Sequence, residues 1–394
     1  MRCLILLMIV FYGLNCRSQT FTQTMRRLPD TGQNSGYTST FGEDNDFNIN
    51  VPLFKLVNNG TVIDSITGLM WQVADGGEMT FSTALVYCAS LSLGGYTNWR
   101  LPNAHEAFSI LNHQYVNPSL NVSVFTANTA DYWWTSDRQV NDSSFIFVTN
   151  AGGGIGNHPK LETISAGGTK RFHARAVRSI YSGTLLPSHY TNNTNSTVID
   201  NTTGLMWQKI AFKDTLTWED ALHYADTASI GGYTDWRLPN VKEIQSINDE
   251  KRINPSVNTG YFSNIGIKKY WSSTTLPNQT LKAWYLDTQY GVVTYQLKTY
   301  KLNLLLVRGD GNIVSGLTKP SNQKEFVVYP NPFHQFINVE TEKSDLEYQL
   351  IDARGQLIYT GKLMNAVDFS TLSDGIYLLK VSGSSTNFVK LIKE

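Results

Sequence analysis

The chain has 394 residues, 41% of them hydrophobic and 12% aromatic, enough to bury more than one core. Only 16% are charged, and Lys+Arg balance Asp+Glu at 32 each, which leaves no net field to gather nucleic acid. Low charge with many Tyr, Trp, Asn, Thr and Gly suits an exported β-rich protein better than a cytosolic enzyme.

The opening MRCLILLMIVFYGLNCRSQT sets one Arg before an apolar run and then small or polar residues. That is the pattern of a secretory signal, too short to remain as a membrane anchor. Residues 1–18 are read as this signal, with cleavage after Ser18. Cys16 offers a lipoprotein alternative, although Leu14 and Asn15 make a poor lipobox. Once Cys3 and Cys16 leave with the signal, Cys88 remains, and a single thiol makes neither an intramolecular disulfide nor a Cys-based zinc site. Further on, GEDNDFNIN places Asp44, Asp46 and Asn48 at alternate positions, like the first half of a calcium loop. Ile49 and Lys55 stand where an EF-hand needs Gly and Glu, so an EF-hand is excluded. Calcium near Asp44 and Asp46 is kept as a weak option beside a solvated acidic loop.

From residue 61 the chain repeats itself. TVIDSITGLMWQ (61–72) returns as TVIDNTTGLMWQ (197–208), and GGYTNWRLPN (94–103) returns as GGYTDWRLPN (231–240) with one change. NPSLN, YWWTS and the AVR ending at Arg178 return as NPSVN, KYWSS and the LVR ending at Arg308. A unit this long is a duplicated domain, not a solenoid repeat. Each copy begins with a strand and hairpin edge carrying Trp71 or Trp207. In the second copy Thr217 caps a first helix, with Trp218, Ala221, Leu222 and Ala225 on its apolar face. A Gly-Gly turn follows, and Pro102 and Pro239 set up a second helix, opened by the capping boxes Asn103/Glu106 and Asn240/Glu243. Trp99 and Trp236 are expected to bury between helices and sheet, and Arg100 and Arg237 to pair with a buried acid or with carbonyls. The repeated decad is therefore read as a structural joint. KAWYLDTQYGVVTYQ predicts a hairpin turning at Gly291, and LNLLLVRG a buried closing strand. AGGGIGNHP (151–159) lacks a strand–GxGxxG–helix context and is read as a loop tip. Each copy is thus α+β, two helices with a short antiparallel sheet.

TGLMWQ, GGYTDWRLPN-x-x-E, YWSS and the closing VRG together resemble the Lcl C-terminal domain family, over residues 51–179 and 187–309. LPDTGQNSGYTSTFGEDNDFNIN looks like the leader that many such proteins carry. The resemblance implies two tandem C-type-lectin-like domains and, for the member that names the family, adhesion to sulfated glycosaminoglycan-like polymers. Its motif positions read as framework, so it carries no binding residues with it. C-type-lectin-like folds are related to formylglycine-generating enzymes, which would demand reactive, copper-binding cysteines. Cys88 faces Ala225 in the matching place of the second copy, which marks it as a small buried hydrophobe. Nucleophile elbow, Walker loop and H-E-x-x-H are absent from the sequence, and the expectation is a protein that is not an enzyme.

After Arg308 a polar stretch reads as a linker, set at 313–325. Residues 326–394 then alternate as FVVYPNP, QFINVE, LEYQLID, GQLIYTG, AVDFSTL, GIYLLKVSG and NFVKLIK, predicting seven short strands of an Ig-like β-sandwich. YPNP, LSDGIYLLKV and the final FVKLIKE resemble the type A sorting domain of the type IX secretion system. That resemblance implies engagement of this machinery, passage through the outer membrane, removal of the tail, and surface attachment or release. The domains are accordingly placed at 19–182, 183–312 and 326–394.

Positive charge concentrates in the sheet half of each copy. Residues 155–180 hold Lys160, Lys170, Arg171, Arg175 and Arg178 against Glu162, and residues 263–308 hold Lys268, Lys269, Lys282, Lys298, Lys301 and Arg308 against Asp287. Cations with ring faces suit sulfated or acidic polysaccharide. The candidate ligand residues are Trp134, Lys170, Arg171, Lys268, Lys269, Trp271, Trp284, Tyr285 and Lys298. The expected function is adhesin-like, non-catalytic binding of extracellular glycan at the cell surface, tandem copies adding avidity. The alternative is a structural or protein-binding envelope component.

Overall fold

A computed structural model describes residues 21–57, 59–126, 130–161, 172–186, 188–309, 327–341, 346–352, 356–362, 365, 367–382 and 386–394. The expected signal and linker, and the candidates Lys170 and Arg171, lie outside the described residues. After a leader strand, β1 (Phe21–Gln23), the first copy forms β2 (Phe54–Val57), β3 (Thr61–Asp64), β4 (Leu69–Gln72), α1 (Phe81–Ser90) and α2 (Ala104–Ser109). It continues with β5 (Tyr132–Arg138), β6 (Phe145–Asn150), β7 (Ile155–Pro159), β8 (Phe172–His173) and β9 (Val177–Ser179). A connecting strand, β10 (Thr184–Leu186), pairs with β1. The second copy runs in the same order: β11 (Tyr190–Asn192), β12 (Thr197–Asp200), β13 (Met206–Gln208), α3 (Trp218–Thr227) and α4 (Val241–Ser246). Then come β14 (Lys269–Thr275), β15 (Lys282–Asp287), β16 (Val292–Leu297) and β17 (Val307–Arg308).

Matching sequence makes matching sheets, β2-β3-β4-β9 and β11-β12-β13-β17. The TVID and TGLMWQ runs pair so that Val62 lies opposite Trp71 and Val198 opposite Trp207, with both indoles fully buried. Thr80 and Thr217 cap α1 and α3 by accepting the Thr83 and Asp220 amides. Asn103 and Asn240 cap α2 and α4 in complete capping boxes. The α2 and α4 helices are six residues each, too short to persist without packing. Ala104, Ala107, Phe108 and Leu111 supply that packing in the first copy.

The two copies are not separate beads. One seven-stranded sheet, β14-β15-β16-β7-β6-β5-β8, crosses from the second copy to the first, where Val293 of β16 pairs with Ile155 of β7. Of AGGGIGNHP, read as a loop tip, residues 151–154 are the turn between β6 and β7, while Ile155–Pro159 is strand and carries the seam. A Cβ on Gly154 would stand 2.8 Å from the Val293 carbonyl oxygen, and one on Gly153 would stand 3.2 Å from the Trp284 ring. Only glycine lets the two backbones approach that closely. LNLLLVRG also departs from expectation, because only Val307–Arg308 is strand. Leu302, Asn303 and Val307 bridge singly to Leu216, Tyr270 and Arg237, so this segment serves several partners in turn while Leu304, Leu305 and Leu306 are buried.

Residues of the leader are threaded across both copies. Gln33 donates through Nε2 to the His113 and Thr275 carbonyls, Asp44 accepts from Thr31 and Thr274, and Thr275 donates to Glu43. The helices meet in a reciprocal way at positions that correspond in the duplication. His105 of α2 contacts Glu250 at 3.1 Å, and Lys242 of α4 donates at 2.7 Å to the Ser109 carbonyl.

The chain divides into two compact units, Met1–Ile313 and Val314–Glu394. In the second, β18 (Val327–Tyr329) pairs with β19 (Asn338–Glu340). β20 (Glu347–Asp352), β21 (Leu357–Gly361), β22 (Gly375–Ser382) and β23 (Thr386–Lys393) form an antiparallel sheet ordered β21-β20-β22-β23. The expected strand at AVDFSTL is not found in its described residues, 367–372. Asp368 accepts the Ser370 amide and closes a turn, while Phe369 is buried and bonds through its amide to Gln335. Among the described residues the chain is strand-dominated with four helices.

Candidate functional site

The repeated decad is a joint, built the same way twice. Its glycines take left-handed φ values of +65° at Gly94 and +64° at Gly231, which side-chain-bearing residues avoid. The turn they open brings two carbonyls to the indole: Trp99 Nε1 donates to Leu93 and Tyr96, and Trp236 Nε1 to Ile230 and Tyr233. Pro102 and Pro239 follow, and their carbonyls accept the amides of Ser136 and Ser273, tying the joint to β5 and β14. Arg100 grips both oxygens of Glu106 at 2.6 and 2.7 Å, and Arg237 grips Glu243 at 2.6 Å twice. Each Glu is also the capping-box acid of its helix. Arg100 is 42% exposed and Arg237 only 6%, because Phe47 of the leader lies 5.2 Å from the Arg237 guanidinium.

Most of the aromatic ligand candidates are core. Trp134 stacks on Phe172 at 4.6 Å and donates to the Met79 carbonyl, and Trp271 donates to the Leu216 carbonyl. Trp284 lies edge-on to His113 and Tyr295 at the seam, and Tyr285 packs against Trp271. All four side chains are buried. Their candidacy as ligand residues is corrected: strand alternation aims them into the cores on the two sides of the shared sheet. The lysines fare differently. Lys268 donates to the Asn264 carbonyl, Lys269 is exposed and lies 5.4 Å from the Tyr285 ring, and Lys298 lies 3.7 Å over Trp218. Burial lowers the Lys298 pKa, opposed by Glu43 and Glu219. Lys282, not among the candidates, lies 4.9 Å over Tyr295, and Tyr295, Leu297 and Tyr300 are exposed nearby in sequence.

Asp44 and Asp46 do not form an open calcium loop. They begin and end a short 3-10 turn, with Asp44 buried. Burial, together with the Asp30 charge, pushes the Asp44 carboxyl well above its ordinary range, against the hydrogen bonds from Thr274 and Thr31. Asp46 accepts the Gly42 amide. Cys88 is buried, and burial pushes its thiol up to about 12, far from the thiolate a redox or metal role requires.

A cluster that the sequence reading passed over occurs in the first copy alone. Asp75 bonds His173 Nδ1 and accepts from Trp133 Nε1, each at 2.9 Å, with Arg175 at 3.6 Å. Arg175 also donates to the Gln72 and Val73 carbonyls. Burial raises the Asp75 pKa, but His173, Arg175 and Trp133 outweigh it and hold the carboxyl at about 2. In the second copy the corresponding residues are Ala211, Asn303, Leu305 and Tyr270, so comparing the copies would have exposed this set. It ties β5, β8 and the segment after β4 together.

Two matches to the Lcl C-terminal domain cover residues 60–178 and 196–308, and a match to the secretion system C-terminal sorting domain covers 327–394. No curated protein matches the chain. Among solved structures, PorZ of Porphyromonas gingivalis is described as an essential bacterial surface component of the type-IX secretion system. It aligns with 67% of this chain at 12% identity and a TM-score of 0.17, and the chain spans 30% of its length. The sorting tail directs export to the outer cell surface or beyond it. Among the described residues no helix is long and apolar enough to cross a membrane.

Proposed function

The chain belongs to the Lcl C-terminal domain family, and from that premise we propose that it is a non-catalytic surface protein that binds acidic extracellular glycan. We attach to this reading a C-type-lectin-like framework for the two copies and an Ig-like one for the tail. One observation carries it: in the second copy three lysines each lie against an aromatic ring, Lys269 on Tyr285, Lys282 on Tyr295 and Lys298 on Trp218. Each ring braces an ammonium group that is read as taking sulfate or carboxylate, while Tyr295 and Tyr300 are exposed for contact with sugar. Since both copies share one sheet, they are read as one continuous body and not as two tethered modules.

The full chain is expected to be retained on immobilised heparin at low salt and released as salt rises. Combined Lys269→Gln, Lys282→Gln and Lys298→Gln should lower the salt needed for elution. No retention of the wild type at low salt overturns the reading. A second reading, a protein-binding envelope component, draws on exposed Val51, Leu53 and Leu56 at and beside edge strand β2. It is favoured if crosslinking captures one protein at the surface while no polysaccharide is retained.

A further inference from the structure

The two copies of the decad differ at one position, Asn98 against Asp235, and that difference decides the state of a neighbouring arginine. In the second copy Arg308 lies 3.8 Å over the Tyr233 ring and donates to both oxygens of Asp235, at 2.6 and 2.9 Å. Its charge is cancelled on the spot. In the first copy Arg178 lies over Tyr96 at the same 3.8 Å, but Nε donates at 2.8 Å to the Asn98 amide oxygen and Nη1 meets Met70 Sδ at 3.7 Å. An amide brings no charge. Among the described residues no carboxylate pairs with Arg178, and no acceptor bonds its Nη2. The Tyr96 ring is 39% exposed, so the pair stands at the surface. A guanidinium held flat by a ring and fixed through Nε keeps a preorganised edge free for a planar or tetrahedral anion.

We propose that Arg178, braced by Tyr96 and Asn98, is an anchor for a carboxylate or sulfate group on an acidic glycan, and that Asp235 closes the equivalent place in the second copy. This rests on the glycan-binding reading and adds the group that takes the charge. The duplication thus yields one open and one closed version of the same site.

The closed version supplies the test. Asn98→Asp reproduces a pairing that the fold already contains at Asp235, so it should neutralise Arg178 without unfolding the chain; thermal melting checks this. Full-length variants are compared on heparin and hyaluronate columns, and the arginine Nε–Hε resonances are followed by NMR during titration with a heparin-derived sulfated disaccharide. Asn98→Asp and Arg178→Lys should each weaken binding about tenfold, the scale of one charge-assisted hydrogen bond. Asp235→Asn should strengthen it by freeing Arg308, and Asn141→Asp, the same charge change in the β5–β6 turn, should do little. A retained wild type with Asn98→Asp and Arg178→Lys unchanged overturns the anchor and leaves the glycan reading standing. If the wild type is not retained, the glycan reading fails. The anchor then stands only as an anion site, shown by a disaccharide-induced shift of the Arg178 resonance that Asn98→Asp abolishes; no shift overturns it as well. Retention on polyglutamate but on neither polysaccharide overturns the assignment to glycan.

Discussion

The residue that explains most of the repeated decad is its arginine. Arg237 and Glu243 form a bidentate pair with side chains 6% and 3% exposed, and the same Glu accepts the Asn240 amide at the start of α4. Taking one charge away leaves the other buried without its partner, which costs about 3–5 kcal/mol in comparable pairs. Glu243→Gln is therefore expected to lower the stability of the chain in urea by that order. Glu106→Gln should cost less, because Arg100 remains 42% exposed and regains water. Equal losses at the two sites would argue that solvent access is not what separates them. The sequence left this arginine to a buried acid or to carbonyls. That the acid is the capping-box Glu, six residues on, follows from the turn between them.

At the scale of elements, the seam between β7 and β16 depends on the smallest side chain available. Gly154→Ala would press a methyl group toward the Val293 carbonyl at 2.8 Å, whereas Gly156→Ala meets nothing nearer than 3.9 Å. Overpacking of this kind typically costs about 1–3 kcal/mol. Denaturation curves should show that loss for Gly154→Ala and a much smaller change for Gly156→Ala; the reverse order would remove the seam from its place in the fold. The helices were legible because caps and apolar faces are local: Thr217, Asn240 and the Trp218 face announce them before any contact is known. The run after Ala151 was only half read, its glycines as a turn but not Ile155–Pro159 as a strand, for the opposite reason. What requires it is a strand of the other copy, and no local pattern encodes that neighbour.

At the scale of the molecule, the copies are joined through a shared sheet, a threaded leader and the reciprocal contacts of α2 and α4. One of these contacts titrates. Burial lowers the His105 pKa, but Glu250, with Asp137 and the Asn248 backbone, raises it to about 9 from 6.5. A raised folded pKa gives stability fully present below about pH 6.5 and lost as pH rises through about 9. Lys242 acts in the other sense, since burial lowers it from 10.5 to about 8 and the folded state gains relative stability as pH rises between those values. Denaturation midpoints measured from pH 6 to 10 on His105→Gln should lack the falling component seen in the wild type, while any rise due to Lys242 stays. An unchanged profile would show that the His105–Glu250 contact does not couple to folding.

What the sequence by itself determined is what short-range chemistry encodes: the duplication, the capped helices, the hairpin of β15 and β16, and the sorting tail. Its charge and ring counts also pointed to the sheet half of each copy, yet could not say which rings face water. Tertiary structure decided that Trp134, Trp271, Trp284 and Tyr285 are core, that Asp75, His173 and Arg175 converge in one copy only, and that Arg308 pairs with a carboxylate while Arg178 bonds an amide. These outcomes depend on which side of a strand meets a partner distant in the chain, and burial and ion pairing are properties of that meeting and not of either segment alone.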